Sequence, residues 1–206
     1  NPEKITVTLE SADELPKGNE PVDGLIGKKF IMYIGRPTPH KNLRRLIDAF
    51  ALLQKKYPDL TLALAGKKDS NYSRHETYVN EHGIKNVVFT GFISDEQLRW
   101  MYENTAVYCF PSLSEGFGLP GLEAMLHGAP VASSTATCLP ETHGDAAHYF
   151  DPFSVEDIAK SIDDILSDDK LRSELVKKGK KHVKTFSWQR MAEQTLAVYE
   201  KYGRKS

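Results

Sequence analysis

Short apolar runs alternate with longer amphipathic stretches through most of this chain. From Lys29 the pattern is regular. Phe30, Ile31, Met32, Tyr33 and Ile34 form a continuous apolar run closed by Gly35, which predicts a buried strand. Leu43, Leu46, Ile47, Phe50 and Leu53 then recur at helical spacing. A second strand is predicted over 60–66, a polar helix around 73–83 and a third strand over 86–91. Ser94 and Gln97 have the spacing of a capping box, and Ile93 and Leu98 are placed to staple the same helix start. Further strands are predicted over 106–110, 130–133 and 147–150. The last third is helical. Ser154 and Asp157 mark one start, with Phe153 and Ile158 as its staple. Ser187 opens a final helix with Trp188, Met191, Ala192, Thr195 and Tyr199 on one face. Residues 1–28 differ: a short strand signal at 5–9 lies among Pro and Gly and reads as an entry segment or linker.

Apolar strands alternating with amphipathic helices predict an α/β fold, a Rossmann-like parallel sheet with helices on both faces and additional C-terminal helices. Ligands of such sheets bind at the carboxyl ends of the strands. Gly35, Gly66, Gly91 and Pro111 each follow a strand end, so their loops are expected to share one rim.

Composition narrows the function classes. The chain has 206 residues, 27% of them charged, with a formal net charge of -1, so charge lends no support to general nucleic-acid binding. No apolar run approaches the roughly 20 residues of a membrane span. Cys109 and Cys138 are far apart and give neither a disulfide framework nor a metal spacing. A reducing, cytoplasmic or cytoplasm-facing location is expected. The N-terminus carries neither a starting Met nor a signal-peptide pattern, which suggests a piece of something longer.

The richest chemistry lies in the run Ser114-Glu115-Gly116-Phe117-Gly118-Leu119-Pro120-Gly121-Leu122-Glu123. Two carboxylates flank a glycine turn that leads into a helix. Gly116 and Gly118 allow close approach of backbone to a ligand. Pro120 suits a first helical position. The helix start aims free N–H groups and a positive dipole end at the turn, which makes an anion site. A phosphate explains the glycines but leaves Glu115 repelling it, so Glu115 is expected to reach past the phosphate to hydroxyl groups. A ligand with both phosphate and polyol character is a nucleotide sugar. The structural alternatives are a tight turn, a solvated loop acid at Glu115 and a helix-dipole acid at Glu123 worth only about 0.3–1 kcal/mol.

Glu115 and Glu123 join Gly35-Arg36-Pro37-Thr38-Pro39-His40-Lys41, which sets two cations in the first strand-to-helix loop. Together they resemble the donor domain of GT-B-fold, retaining glycosyltransferases of the large family 4. The glutamates fit that family's E-x7-E motif, and Arg36 and Lys41 fit its Gly-Arg-x4-Lys element. Gly-Ala-Pro-Val at 128–131, Leu139-Pro140-Glu141 and Phe186-Ser187-Trp188 are also similar to it. Two departures are visible. Thr137-Cys138 stands where the family often has Gly-Gly, and Asn42 follows the motif lysine in place of Gly, where it is a plausible N-cap.

The resemblance implies a division of the chain into a linker at 1–28 from a preceding acceptor-binding half, a donor-binding domain at 29–186 and a C-terminal helix at 187–206. It implies hexose transfer from a nucleotide diphosphate sugar, GDP-mannose first and UDP-glucose second, to a saccharide or lipid-linked acceptor. Arg36 and Lys41 would hold the departing phosphate, a duty in which one charge pair at 4 Å is worth about 4 kcal/mol in a partly buried cleft. Glu115 would contact the sugar, and Glu123 the ribose hydroxyls. The N–H groups of Gly116, Phe117, Gly118 and Leu119 would face phosphate. Gly35, Lys67, Phe92 and Ile93 would complete the nucleotide site, although Ile93 has competing duty as a staple. No metal ligands and no cofactor are expected, and a solvated face or a peripheral membrane contact is open to the lysine run at 177–184.

Rival readings make distinct demands. A dinucleotide oxidoreductase wants G-x-G-x-x-G after a strand, and the loop after Ile34 carries Arg and Pro instead. An epimerase or hydrolase of GT-B shape uses the same glutamates with other products. A non-catalytic domain binds no nucleotide.

Overall fold

The computed structural model describes residues 4–18 and 20–203. Six strands alternate with helices: β1 (Phe30–Ile34), α1 (Leu43–Leu53), β2 (Thr61–Ala65), α2 (Ser70–Glu81), β3 (Val87–Gly91), α3 (Asp95–Asn104), β4 (Val107–Phe110), α4 (Leu119–Leu126), β5 (Val131–Ser134), α5 (Leu139–His143), β6 (Ala147–Phe150), then α6 (Val155–Ser167), α7 (Asp169–His182) and α8 (Trp188–Tyr202). The strands form one sheet in the order β3-β2-β1-β4-β5-β6, every pairing parallel. This is the doubly wound order, and the connection reverses direction between β1 and β4. Ligands of such sheets bind outside the carboxyl ends of the strands at this reversal.

The period of two along each strand sorts side chains into two cores. Ile31, Tyr33, Val107 and Cys109 face α1 and α6, where Leu46, Ile47, Phe50 and Ile162 are fully buried. Phe30, Met32, Tyr108 and Phe110 face the other way, toward Met101, Leu122 and Met125 of α3 and α4. Burying one such side chain contributes about 1.5–3 kcal/mol, so the covered sheet is the main source of stability. The starts of α2, α3, α6, α7 and α8 are fixed by side-chain caps. Ser94 and Gln97 close the expected capping box on α3. Ser154 caps α6 and Ser187 caps α8.

Several expectations are corrected. α2 begins at Ser70, earlier than read, because Asp69 accepts the N–H groups of Asn71 and Tyr72 and nucleates it. Phe153 does not close a staple: it is exposed, with the Arg45 guanidinium 5.5 Å from its ring centre. The apolar alternation at 5–9 forms no strand. Ile5 and Val7 stand about 70% exposed without a paired edge, and alternation alone cannot supply ladder partners.

Candidate functional site

The loops after β1, β2 and β3 share one rim, linked by backbone hydrogen bonds from Gly35 N–H to the Ala65 carbonyl (3.0 Å) and from Gly66 N–H to the Gly91 carbonyl (3.0 Å). They approach so closely that a Cβ on Gly66 would lie 2.3 Å from the Gly35 oxygen. A cleft of about 530 Å³ opens here, lined by Gly35, Arg36, Gly66, Lys67, Phe92, Ile93 and the carboxylates Asp69 and Asp95. Five of the residues read from the sequence meet in it. Phe92 is 84% exposed, a flat apolar ring at the mouth, while Ile93 packs partly into the core below.

Arg36 is mostly exposed, and its Nε donates to Asp69 Oδ2 at 3.2 Å. The Asp69 carboxyl is held below its usual range by the Tyr72 N–H and, with it, by Arg36. Asp69 was not legible as a site residue, although Asp three residues before Tyr72 is a cap signal. Lys41 lies deeper, where its Nζ donates to Glu115 Oε1 at 2.6 Å. The two side chains are only 22% and 11% exposed. This pair joins the loop after β1 to the turn after β4 and gives the Glu115 carboxylate a cation partner.

Glu115 is fixed at its backbone as well. Its N–H donates to Thr137 Oγ1 (3.0 Å), and its carbonyl accepts from Thr137 Oγ1 (3.2 Å) and Cys138 Sγ (3.3 Å). Thr137 does this at φ 50°, a conformation costly for a β-branched residue. The departure from Gly-Gly therefore adds a clamp at a backbone angle that suits glycine. Asn42 likewise sits at φ 60° and supplies no side-chain cap. Its amide donates to the carbonyls of Pro111 (2.9 Å) and Pro152 (2.8 Å), which ties the loop after β4 to the loop after β6. Asn42 holds the expected N-cap position of α1, but Asn is tolerated in this left-handed geometry and uses its side chain for tertiary bonds in place of a cap bond.

Gly118 precedes α4 at φ 100°, and a Cβ there would lie 2.7 Å from Leu139 Cδ2. Its lack of a side chain serves the protein interior, where the sequence reading gave it to a ligand. Pro120 is the second residue of α4, where its missing N–H is equally harmless. Gly116 and Phe117 border a separate cavity of about 290 Å³ with Val7, Leu9 and Phe186, which shares no lining residue with the rim cleft. The Phe117 and Phe186 rings meet edge to face at 5.9 Å. Glu123 lies beyond the first turn of α4, so a helix-dipole role does not account for it. It accepts a hydrogen bond from Tyr102 Oη at 3.3 Å. Burial raises its pKa, and the charges of Asp95 and Asp13 raise it further, against the lowering by the Tyr102 hydrogen bond.

His143 was not singled out from the sequence and is fully buried beneath the turn. Burial pushes its pKa down to about 4, against an ordinary value near 6.5. The folded chain thus refuses a proton that the unfolded chain accepts between about pH 6.5 and 4. Stability is fully present above this window and declines as pH falls through it. His75 and His127 are lowered in the same direction, so a variant is needed to isolate His143. Urea titrations across the window are expected to show a shallower decline for His143→Gln than for the parent.

Among the described residues no cluster of three or more His, Cys, Asp or Glu could hold a metal ion, and no helix is long and apolar enough to cross a membrane.

A parallel sheet in this order, with a glycine turn and a Lys–Glu pair around its switch point, defines the Rossmann-like half of a GT-B fold. The family model described as Glycosyl transferases group 1 matches residues 19–182, and the chain belongs to that family. It is 36% identical over 176 residues to the O-antigen chain mannosyltransferase B of Escherichia coli, covering 83% of this chain and 45% of that protein. It is 34% identical over 206 residues to the MMP alpha-(1->4)-mannosyltransferase of Mycolicibacterium hassiacum, covering 98% of this chain and 49% of that one. The chain thus spans about half the length of these curated relatives. Among solved structures, the C-terminal domain of the group 1 glycosyl transferase LpcC from Francisella tularensis superposes with a TM-score of 0.69 at 32% identity, covering 77% of this chain and 86% of that one.

Proposed function

We propose that this chain is the donor-binding unit of a retaining hexosyltransferase, with GDP-mannose the first candidate donor and UDP-glucose the second. The observation that carries the reading is the Lys41–Glu115 pair set against the glycine turn at the switch point. Departure of a nucleoside diphosphate builds negative charge on phosphate, and a fixed cation and aligned N–H groups stabilise that charge without reorganising. Lys41 is held where it can turn from Glu115 to a phosphate, which leaves Glu115 to accept from sugar hydroxyls. Arg36 can swing from Asp69 to the same diphosphate. The rim cleft takes the nucleoside, with Phe92, Ile93 and Lys67 around the base and ribose. The mannosyl preference rests on likeness to the two mannosyltransferases.

The acceptor, a saccharide or lipid-linked glycan, would sit between this unit and a preceding half. No residue of α8 is buried, and Trp188, Leu196, Tyr199 and Tyr202 stay exposed beside the open apolar positions Ile5 and Val7. The proposed partner of that surface is the preceding acceptor half of the full protein, and the twofold length of the relatives leaves room for such a half. Location is proposed as cytoplasmic, with the α7 lysines read first as a solvated face and second as a peripheral membrane contact. No cofactor is assigned, since the basic side chains supply the charge a divalent ion would bring.

Calorimetric titration with GDP and UDP tests the reading, and EDTA is expected to leave the affinity unchanged. Absence of binding by either nucleotide would remove it. Glu123→Ala is expected to weaken ribonucleotide binding about tenfold, the scale of a hydrogen bond to a charged group. The gap between parent and variant should close with a 2′,3′-dideoxy nucleotide.

A further inference from the structure

We infer that His143 is a positioning residue that aims the first N–H of α4 at the donor diphosphate. The inference rests on the proposed diphosphate site and goes beyond it. His143 Nε2 lies 3.2 Å from the Gly118 carbonyl, and its Nδ1 lies 3.2 Å from Ser133 Oγ on β5. A carbonyl only accepts, so Nε2 carries the proton. In the neutral ring Nδ1 then accepts from the Ser133 hydroxyl. The imidazole thus joins strand β5 to the residue that precedes α4.

Peptide planarity turns that bond into direction. In a trans peptide the C=O of Gly118 and the N–H of Leu119 point opposite ways. The Gly118 carbonyl is held inward by His143 Nε2–H and by the Gly121 N–H at 3.0 Å. The Leu119 N–H must therefore point out of the core. As the first residue of α4 it has no acceptor within the helix and lies at the positive end of the helix dipole. A hydrogen bond from a buried side chain fixes where it aims.

The surrounding sequence is shaped for this ring. A Cβ on Gly121 would lie 2.2 Å from His143 Nε2, and one on Gly118 would lie 3.2 Å from it. Gly118 before α4 and Gly121 in its first turn leave the space the imidazole fills. Phe110 borders it with ring centres 5.7 Å apart. His143 is closed to solvent, so it is not a proton donor to substrate. Thr137 clamps Glu115 from the same β5–α5 segment, so that segment braces the turn at both ends.

The test compares His143→Met, which keeps bulk and removes the donor, with His143→Gln, whose amide restores an N–H near the Nε2 position. Each is titrated at pH 7 with GDP or UDP, whichever the parent binds, and with the matching phosphate-free nucleoside. We expect His143→Met to lose roughly tenfold or more in diphosphate affinity, the scale of a hydrogen bond to a charged group. Nucleoside affinity should stay within about twofold, and His143→Gln should recover most of the loss. Equal diphosphate affinity in His143→Met and the parent would overturn the inference, as would equal losses for both ligands. A parent that binds no diphosphate removes the proposed function itself, a different result. The parent also carries a readout free of substitution. Long-range proton–nitrogen NMR should show the Nε2–H tautomer at His143, and the Leu119 amide should shift with diphosphate and stay still with nucleoside. An Nδ1–H tautomer would sink the inference even if the methionine variant failed to fold.

Discussion

Lys41→Met and Glu115→Gln are expected to move diphosphate affinity in opposite directions. The methionine removes the cation and leaves a largely buried carboxylate alone beside the phosphate position. One charge pair at an effective dielectric near 20 is worth about 4 kcal/mol at 4 Å, and partial exposure reduces that. A loss on the order of a hundredfold for GDP or UDP follows. The same variant should also unfold at lower urea, by about 1–3 kcal/mol, because removing one partner leaves the other's desolvation uncompensated. Glu115→Gln keeps the shape, removes the negative charge and releases Lys41 from its 2.6 Å bond. Binding of the bare diphosphate should then tighten by a factor of a few, while preference for the sugar-bearing donor over the bare diphosphate declines. A fall in bare diphosphate affinity for both variants would mean that Glu115 orients Lys41 and is not a competitor for it.

The opposition of signs arises because one bond links the two motifs that the sequence presents separately. Gly-Arg-x4-Lys belongs to the loop after β1, and E-x7-E to the turn after β4. These strands are neighbours only because the sheet order reverses between them. Alternating apolar runs made the strands readable, since burial on both faces needs unbroken apolar sequence. They also made α1 readable, since its five apolar positions at helical spacing are all buried. Local chemistry was legible on the same ground: the Ser94 box closes over three residues, and its bonds need nothing from elsewhere.

What stayed hidden depends on partners distant in sequence. Asn42 bonds across 69 and 110 residues, and Thr137 bonds across 22. Neither side chain's local pattern announces its partner. The segment at 5–9 shows the converse case, a strand signal with no ladder to join. Gly121 and His143 form a third kind. Each is unremarkable where it stands: a glycine inside a helix is a propensity loss of about 1 kcal/mol, and a histidine after Glu-Thr carries no motif. Their meaning appears only when they are seen to occupy one volume.

That shared volume makes the second large prediction. In the parent, Gly121→Ala would set a Cβ 2.2 Å from His143 Nε2 and 2.5 Å from its Cε1. The ring cannot step aside, because it is bonded to Ser133 and bordered by Phe110. Overpacking of this kind is expected to cost about 3 kcal/mol, more than the helix propensity that alanine returns. With His143→Ala the obstruction disappears and a cavity takes its place. Gly121→Ala should then be neutral or stabilising by up to about 1 kcal/mol, since its methyl fills part of that cavity and favours the helix. Urea denaturation of the four proteins in the cycle measures the coupling, expected near 3 kcal/mol. A coupling below about 0.5 kcal/mol would mean that the imidazole does not lie against α4. The direction imposed on the Leu119 N–H would then rest on the Gly121 N–H bond to the Gly118 carbonyl alone, and His143 would lose its positioning role.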